Sequence, residues 1–187
     1  YSQYLVKSPR DNHNKVTFYF AEANDEMPVI EGLDFDSNGT YILENSVNND
    51  TLTLWLKDSV IFRSDTLALK VTYKVADSLG NIVAKSDTVY AASKRRWEKV
   101  VEQQNEKLEK ERKEFLKKAK RSEEYDENNP PEYVPPTKEL KIRFSGSSSM
   151  DVNANVFFTF DEPLSELDTM GIHLSKKVDT LWVPIEH

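Results

Sequence analysis

The run with the clearest chemical potential in these 187 residues is Asp34-Phe35-Asp36-Ser37-Asn38-Gly39-Thr40. Asp at positions one and three, Asn at five and Gly at six is how a calcium loop opens. Oxygen ligands at alternate positions converge on one cation, and the glycine permits the sharp turn. The pattern then falls short, because position twelve is Asn45 where a bidentate Glu is needed, and Glu44 stands one residue early. Asp34, Asp36 and Asn38 are therefore weak calcium candidates at best, and the commoner use of such a run is an Asx-rich hairpin turn.

A second candidate is aromatic. Tyr19 and Trp55 fall on the outward faces of expected strands, where exposed rings suit stacking against a glycan, although an outward ring in a sheet more often packs on a neighbouring strand. The acidic clusters Asp25-Glu26, Asp161-Glu162 and Glu166/Asp168 lie in expected turns, where carboxylates are solvated rather than paired for acid–base work. His13, His173 and His187 share no metal-ligand spacing, and no Ser, Thr or Lys has the surroundings of a nucleophile. With only five glycines there is no phosphate-cradling loop. The chain is expected to be no enzyme and to need no cofactor.

The elements that position these residues are short strands. Val16, Phe18 and Phe20 share one face, as do Leu52, Leu54 and Leu56, and Leu67, Leu69, Val71, Tyr73 and Val75; a period of two marks a strand with one wet face. Further strands are expected at Tyr4–Lys7, Ile30–Phe35, Thr40–Glu44 and Ile82–Ala91. The turns between them carry Asn48-Asn49-Asp50, Ser64-Asp65 and Leu79-Gly80-Asn81. About seven strands in about 90 residues, with no helix between them, predict a mainly β domain, an antiparallel β-sandwich over residues 1–92.

From Ser93 the pattern changes. Lys94 to about Arg121 contains no Gly or Pro and carries Glu106/Lys110, Glu109/Lys113 and Glu114/Lys118 at the favourable i,i+4 spacing, which predicts a long charged helix of about 40 Å. Its apolar stripe is thin: Trp97, Val101, Leu108, Phe115 and Ala119. Val101, Leu108 and Phe115 recur every seven residues, but the intervening d positions hold Gln104 and Glu111, so the helix, and with it the chain, is expected to stay monomeric. Ser122 to Thr137, with two Pro-Pro pairs, reads as an extended segment closing a linker that spans 93–137.

Charge is divided along the chain. Lys94–Arg121 holds twelve basic and six acidic side chains and is net +6, so the rest carries −13 within an overall −7. Acidic modules repel nucleic acid and anionic membrane, and the basic charges of the helix are interleaved with Glu all round rather than gathered on one face. No nucleic-acid partner is expected, and no apolar run is long enough to span a bilayer. The absence of Cys removes disulfide scaffolds and thiolate metal sites without excluding export.

After the linker the strand pattern returns and repeats the first. Adding 140 to Asp11, Val16, Phe18, Phe20, Glu22 and Thr40 gives Asp151, Val156, Phe158, Phe160, Glu162 and Thr180, and Gly32–Phe35 matches Gly171–Leu174 at an offset of 139. Residues 138–187 are thus expected to be the N-terminal part of a second, truncated copy of the same module. Phe158-Thr159-Phe160-Asp161-Glu162-Pro163-Leu164, followed by Leu167-Asp168 and Ile172-His173-Leu174, resembles the bacterial Ig-like domain of the surface-layer protein type, whose opening strand ends in a Phe-x-Phe-x-x-Pro-aliphatic turn. The first copy has Ala23 in place of that Pro, so its membership rests on the repeat. The resemblance implies that both copies are Ig-like antiparallel β-sandwich modules, set in tandem in an exported, surface-attached bacterial protein and acting as spacers or adhesive units toward a protein, envelope or glycan partner; a lipid anchor for such a protein is expected in an upstream segment.

Overall fold

The computed structural model describes residues 3–121, 126, 130–137, 139–146, 155–171 and 173–185. Contacts divide the chain into two compact units, Tyr1–Pro135 and Pro136–His187. The protein is mainly β, with antiparallel sheets and a single long helix.

In the first unit, β1 (Leu5–Lys7), β2 (Lys15–Phe20), β5 (Thr51–Leu56) and β4 (Tyr41–Asn45) form one sheet in the order β1-β2-β5-β4. The second sheet runs β3-β6-β7, from Val29–Gly32, Thr66–Ala76 and Ile82–Ala92. Every pairing is antiparallel. The alternating apolar residues of both sheets meet in one core: Val16, Phe18, Phe20, Leu52, Leu54 and Leu56 from the first sheet, with Ile30, Leu67, Leu69, Val71, Tyr73, Val89 and Ala91 from the second.

Two expectations are corrected here. A short helix, α1 (Ser59–Arg63), stands between β5 and β6 where none was expected. Asp58 caps it, accepting a hydrogen bond from the Val60 amide at 2.7 Å; five residues are too few to show a helical period. β3 stops at Gly32, short of the expected Phe35, because the chain folds back there. The Gly32 amide donates to Ser37 Oγ at 2.6 Å, and a Cβ at Gly32 would meet the Phe35 ring and carbonyl at 2.8 Å.

The long helix, α2, runs from Trp97 to Ala119 and has no buried residue. It starts three residues later than expected because the Ser93 amide still donates to the Asp65 carbonyl, extending the β6–β7 ladder. Arg96 makes no capping bond; Asp65 caps from a distance instead, accepting from the Trp97 amide at 2.8 Å. Among the described residues no helix is long and apolar enough to cross a membrane. Parts of the expected extended segment, 122–125 and 127–129, lie outside the described residues. Its later part turns back on α2: the Tyr133 ring lies 5.5 Å from that of Phe115, and its hydroxyl donates to Glu111 at 2.8 Å.

Among the described residues of the second unit there are two small antiparallel pairs, β8 (Ile142–Phe144) with β9 (Phe158–Phe160), and β10 (Leu174–Val178) with β11 (Leu181–Ile185). Between them lies one 3-10 turn, Thr169–Gly171, opened by the Asp168 carboxylate accepting from the Met170 amide. Asp151, Ile172 and His187, which figure in the sequence repeat or the histidine count, lie outside the described residues.

Candidate functional site

The Asp34–Thr40 run forms the turn between β3 and β4. Asp34 Oδ2 accepts from the Ala68 amide on β6 at 3.2 Å, whereas Asp36 Oδ1 accepts from the Asn38 amide at 2.9 Å, closing an Asx turn. Thr40 Oγ1 donates to the Asp36 carbonyl, and Gly39 takes the left-handed conformation at φ 70. The two carboxylates thus serve different segments. Glu44 and Asn45, where a twelfth-position ligand is needed, point elsewhere: Glu44 accepts from Trp55 Nε1 at 2.9 Å, and Asn45 donates to Asn49 at 2.6 Å. Among the described residues no three His, Asp or Glu side chains are grouped to hold a metal.

Tyr19 and Trp55 both lie on the face of the four-stranded sheet opposite its buried alternation. The pairings Lys15↔Trp55 and Tyr19↔Thr51 put them at opposite ends of the β2–β5 ladder, about 13 Å apart at the rise of an extended strand. Each ring is already covered. Lys7 Nζ sits 4.5 Å from the Tyr19 centroid and Lys15 Nζ 4.5 Å from that of Trp55. With its N–H held by Glu44, Trp55 is only 8% exposed. A sugar ring stacking on Trp55 has to displace Lys15.

The most elaborate side-chain arrangement is one that sequence reading missed, at the root of α2. Arg10 is 2% exposed and spends its guanidinium on backbone carbonyls: His13 (2.8 and 3.2 Å), Ser64 (2.8 Å), Phe62 (3.0 Å) and Ala91 (3.4 Å). Burial pushes its pKa down, opposed by the charges of Asp65 and Asp34. Next to it, His13 places Nδ1 3.1 Å from the Phe62 carbonyl and Nε2 2.7 Å from the Arg95 carbonyl. The rings of His13 and Phe62 meet Trp97 edge-on at 5.2 and 5.7 Å, and Lys94 pairs with Asp11 at 2.6 Å. This joint ties the β1–β2 loop, α1, the end of β7 and the first turn of α2 together. Its hydrogen bonds and ring contacts hold these segments to one another. Nothing in the sequence marks Arg10: one Arg beside an Asp in a loop reads as solvated.

No protein-family model matches the chain, and no curated protein matches it.

Proposed function

We propose that this chain is a non-catalytic structural or adhesive spacer of a bacterial cell-surface protein, built from Ig-like β-sandwich modules with α2 as a charged linker. The observation that carries this reading is the strand order of the first unit. Seven antiparallel strands in sheets β1-β2-β5-β4 and β3-β6-β7 around a shared core correspond, in chain order, to the ABED and CFG sheets of a constant-type Ig fold. The second support is the joint at Arg10, His13 and Trp97, which anchors the helix to the module at its root. The sequence repeat around Phe158–Phe160 supports a second, partial module, and the surface-layer resemblance supports export and surface attachment.

A carbohydrate-binding role has less behind it, because Trp55 is covered by Lys15 and committed to Glu44. Antibody raised against residues 1–135 tests the surface assignment on the producing cells. Labelling of intact cells, lost after mild surface proteolysis, is the expected result. Labelling seen only after lysis overturns it. A glycan array with the wild type and Trp55→Ala tests the carbohydrate role, which is supported only by binding that the substitution abolishes.

A further inference from the structure

We propose that the open edge of β7 is a self-association surface that takes a second copy of this chain, paired antiparallel about Ser86. β7 is the outer strand of the three-stranded sheet and pairs with β6 over eleven residues without a register shift. Hydrogen bonds at the two ends of that ladder fix which way its backbone groups point. At the turn, the Asp77 amide donates to the Asn81 carbonyl at 2.8 Å; at the far end, the Ser93 amide donates to the Asp65 carbonyl at 2.8 Å. Hydrogen-bonded positions alternate along an antiparallel strand. The odd-numbered residues of β7 therefore face β6, and the amides and carbonyls of Ile82, Ala84, Ser86, Thr88 and Tyr90 face outward. Among the described residues nothing pairs with them; another segment reaches this edge only past Tyr90, at the bridge between Arg10 and Ser93.

The strand carries neither proline nor bulge, two common devices that keep an edge from pairing. Its one guard is charge. Lys85 and Asp87 lie on the core-facing side, 3.6 Å from one another, and a generic apolar strand alongside would desolvate both. Self-pairing has few registers, because outward groups must meet outward groups. Centred on Lys85 or on Asp87, the pairing sets that charge against its own copy. Centred on Ala84 or Thr88, it sets a charge against a valine. Centred on Ser86, Lys85 of each copy faces Asp87 of the other and Val83 faces Val89, while on the outer side Ile82 faces Tyr90 and Ala84 faces Thr88.

The charge pairs then fall at non-hydrogen-bonded positions, where side chains approach most closely. Opposite charges and aromatic–aliphatic pairs are the favourable cross-strand combinations. Ile82 and Tyr90, 67% and 73% exposed, gain cover in the pair. The charges that reject a generic strand thus select a second copy in one register. This pairing departs from the expectation of a monomeric chain, which rests on the polar d positions of α2 and takes no account of the β7 edge. The proposal rests on strand pairing alone and is independent of the spacer function.

Sedimentation of the full chain over a concentration series tests it. The wild type is expected to pass from monomer to dimer. Ser86→Pro removes an outward amide and leaves the backbone bonds to β6 whole, losing only the 2.8 Å contact of Ser86 Oγ with Thr72 Oγ1; at concentrations where both proteins are monomeric its unfolding midpoint should fall no further than for a surface change, while the dimer is lost. Lys85→Glu weakens the dimer by about tenfold or more, since like charges then face one another. The chain has no cysteine, which permits a register test that does not depend on the proline variant folding. In Ser86→Cys the two Cα atoms lie about 5.5 Å apart across the two-fold axis, within disulfide reach. In Ala84→Cys they do not. Oxidative cross-linking at 86 but not at 84 supports the proposal. A chain that stays monomeric into the millimolar range without cross-linking at 86 overturns it, as does a dimer that cross-links equally at both positions.

Discussion

Phe18-Tyr19-Phe20 and Phe158-Thr159-Phe160 carry the same Phe-x-Phe alternation into a strand, and the two strands meet different fates. In β2, Phe18 is fully buried, opposite Leu52 on β5 and in one core with Leu54 of that strand and Leu67, Leu69 and Val71 of β6. In β9, Phe158 is 50% exposed, and among the described residues the strand pairs with β8 alone, Phe144 opposite Phe158 and Ile142 opposite Phe160. The difference extends to the strands at matching offsets. Tyr41–Asn45 pairs with β5 in the first unit, whereas Leu181–Ile185 folds back on Leu174–Val178, a segment whose counterpart around Asp34–Asn38 is a turn. An apolar alternation specifies a strand and the face it will bury; what covers that face is decided by the rest of the sheet.

The largest expected effect follows directly. Phe18→Ala should destabilise the first unit by about 3–5 kcal/mol, measured by denaturant unfolding through the fluorescence of buried Trp55. Phe158→Ala should cost about 1 kcal/mol or less, in the manner of a surface change. Hydrogen exchange gives the same contrast within one molecule. Amides of Val16–Phe20 are expected at the protection of global unfolding, and those of Phe158–Phe160 at that of local opening. Equal protection of both strands breaks the comparison.

A second prediction sharpens it by asking what besides apolar cover holds the first unit. Arg10 joins elements far apart in sequence: its guanidinium donates to the carbonyls of His13 and Ser64, to that of Phe62, which His13 Nδ1 also meets at 3.1 Å, and to that of Ala91, which also lies in the β6–β7 ladder. Arg10→Leu takes a donor from each of them, and a loss on the order of 3 kcal/mol is expected. Arg10→Lys should recover little of it, since one ammonium cannot match the planar fork that reaches the carbonyls of His13, Phe62, Ser64 and Ala91. A change under about 1 kcal/mol in Arg10→Leu would mean that the joint is held by Trp97 and its ring contacts instead.

These two cases also mark what was legible in the sequence. β2, β5 and β6 could be read from Val16, Leu52 and Leu67 onward because each is half-buried, and a half-buried strand writes its period into its residue types. The turn character of Asp34–Thr40 was legible for the same local reason: Asp36 closes on the Asn38 amide two residues ahead. α1 was not, since its signal was a single cap at Asp58. Arg10 was not, since its partners at Phe62, Ser64 and Ala91 are 52, 54 and 81 residues away. The start of α2 was misplaced because Trp97 is capped by Asp65, 32 residues earlier, where local capping rules do not look. The outward position of Trp55 was readable, but its cover by Lys15 and Glu44 depends on strand register, which alternation alone does not fix.

The smallest predicted effect compares the hairpin turns of the two units. In the β6–β7 turn the Asp77 carboxylate accepts from the amides of Leu79 and Asn81, both at 2.8 Å, and from the Asn81 side chain at 3.1 Å. In the β10–β11 turn Asp179 sits in the left-handed region at φ 54, and among the described residues its carboxylate makes no such bond. Those donors, the Asn81 side-chain amide first and its backbone amide next, hold the Asp77 carboxyl below its ordinary value of 3.8. A carboxyl whose pKa is lower folded than unfolded stabilises the fold fully above the unfolded value, and that contribution is lost as pH falls through the folded one. The β6–β7 turn should therefore keep its hydrogen bonds well into the acid range and release them only below the ordinary carboxylate pKa. Asp77 is exposed to solvent, so the change in stability is small and the turn itself is the place to read it. Amide proton shifts of Leu79 and Asn81, followed by NMR against pH, should titrate together with a midpoint under 3.8. The titration should vanish in Asp77→Asn, whose side chain carries no titrating charge. A midpoint at or above the ordinary value would place the Asp77 carboxylate free in solvent, leaving the left-handed Gly80, at φ 84, to set the turn through backbone conformation alone.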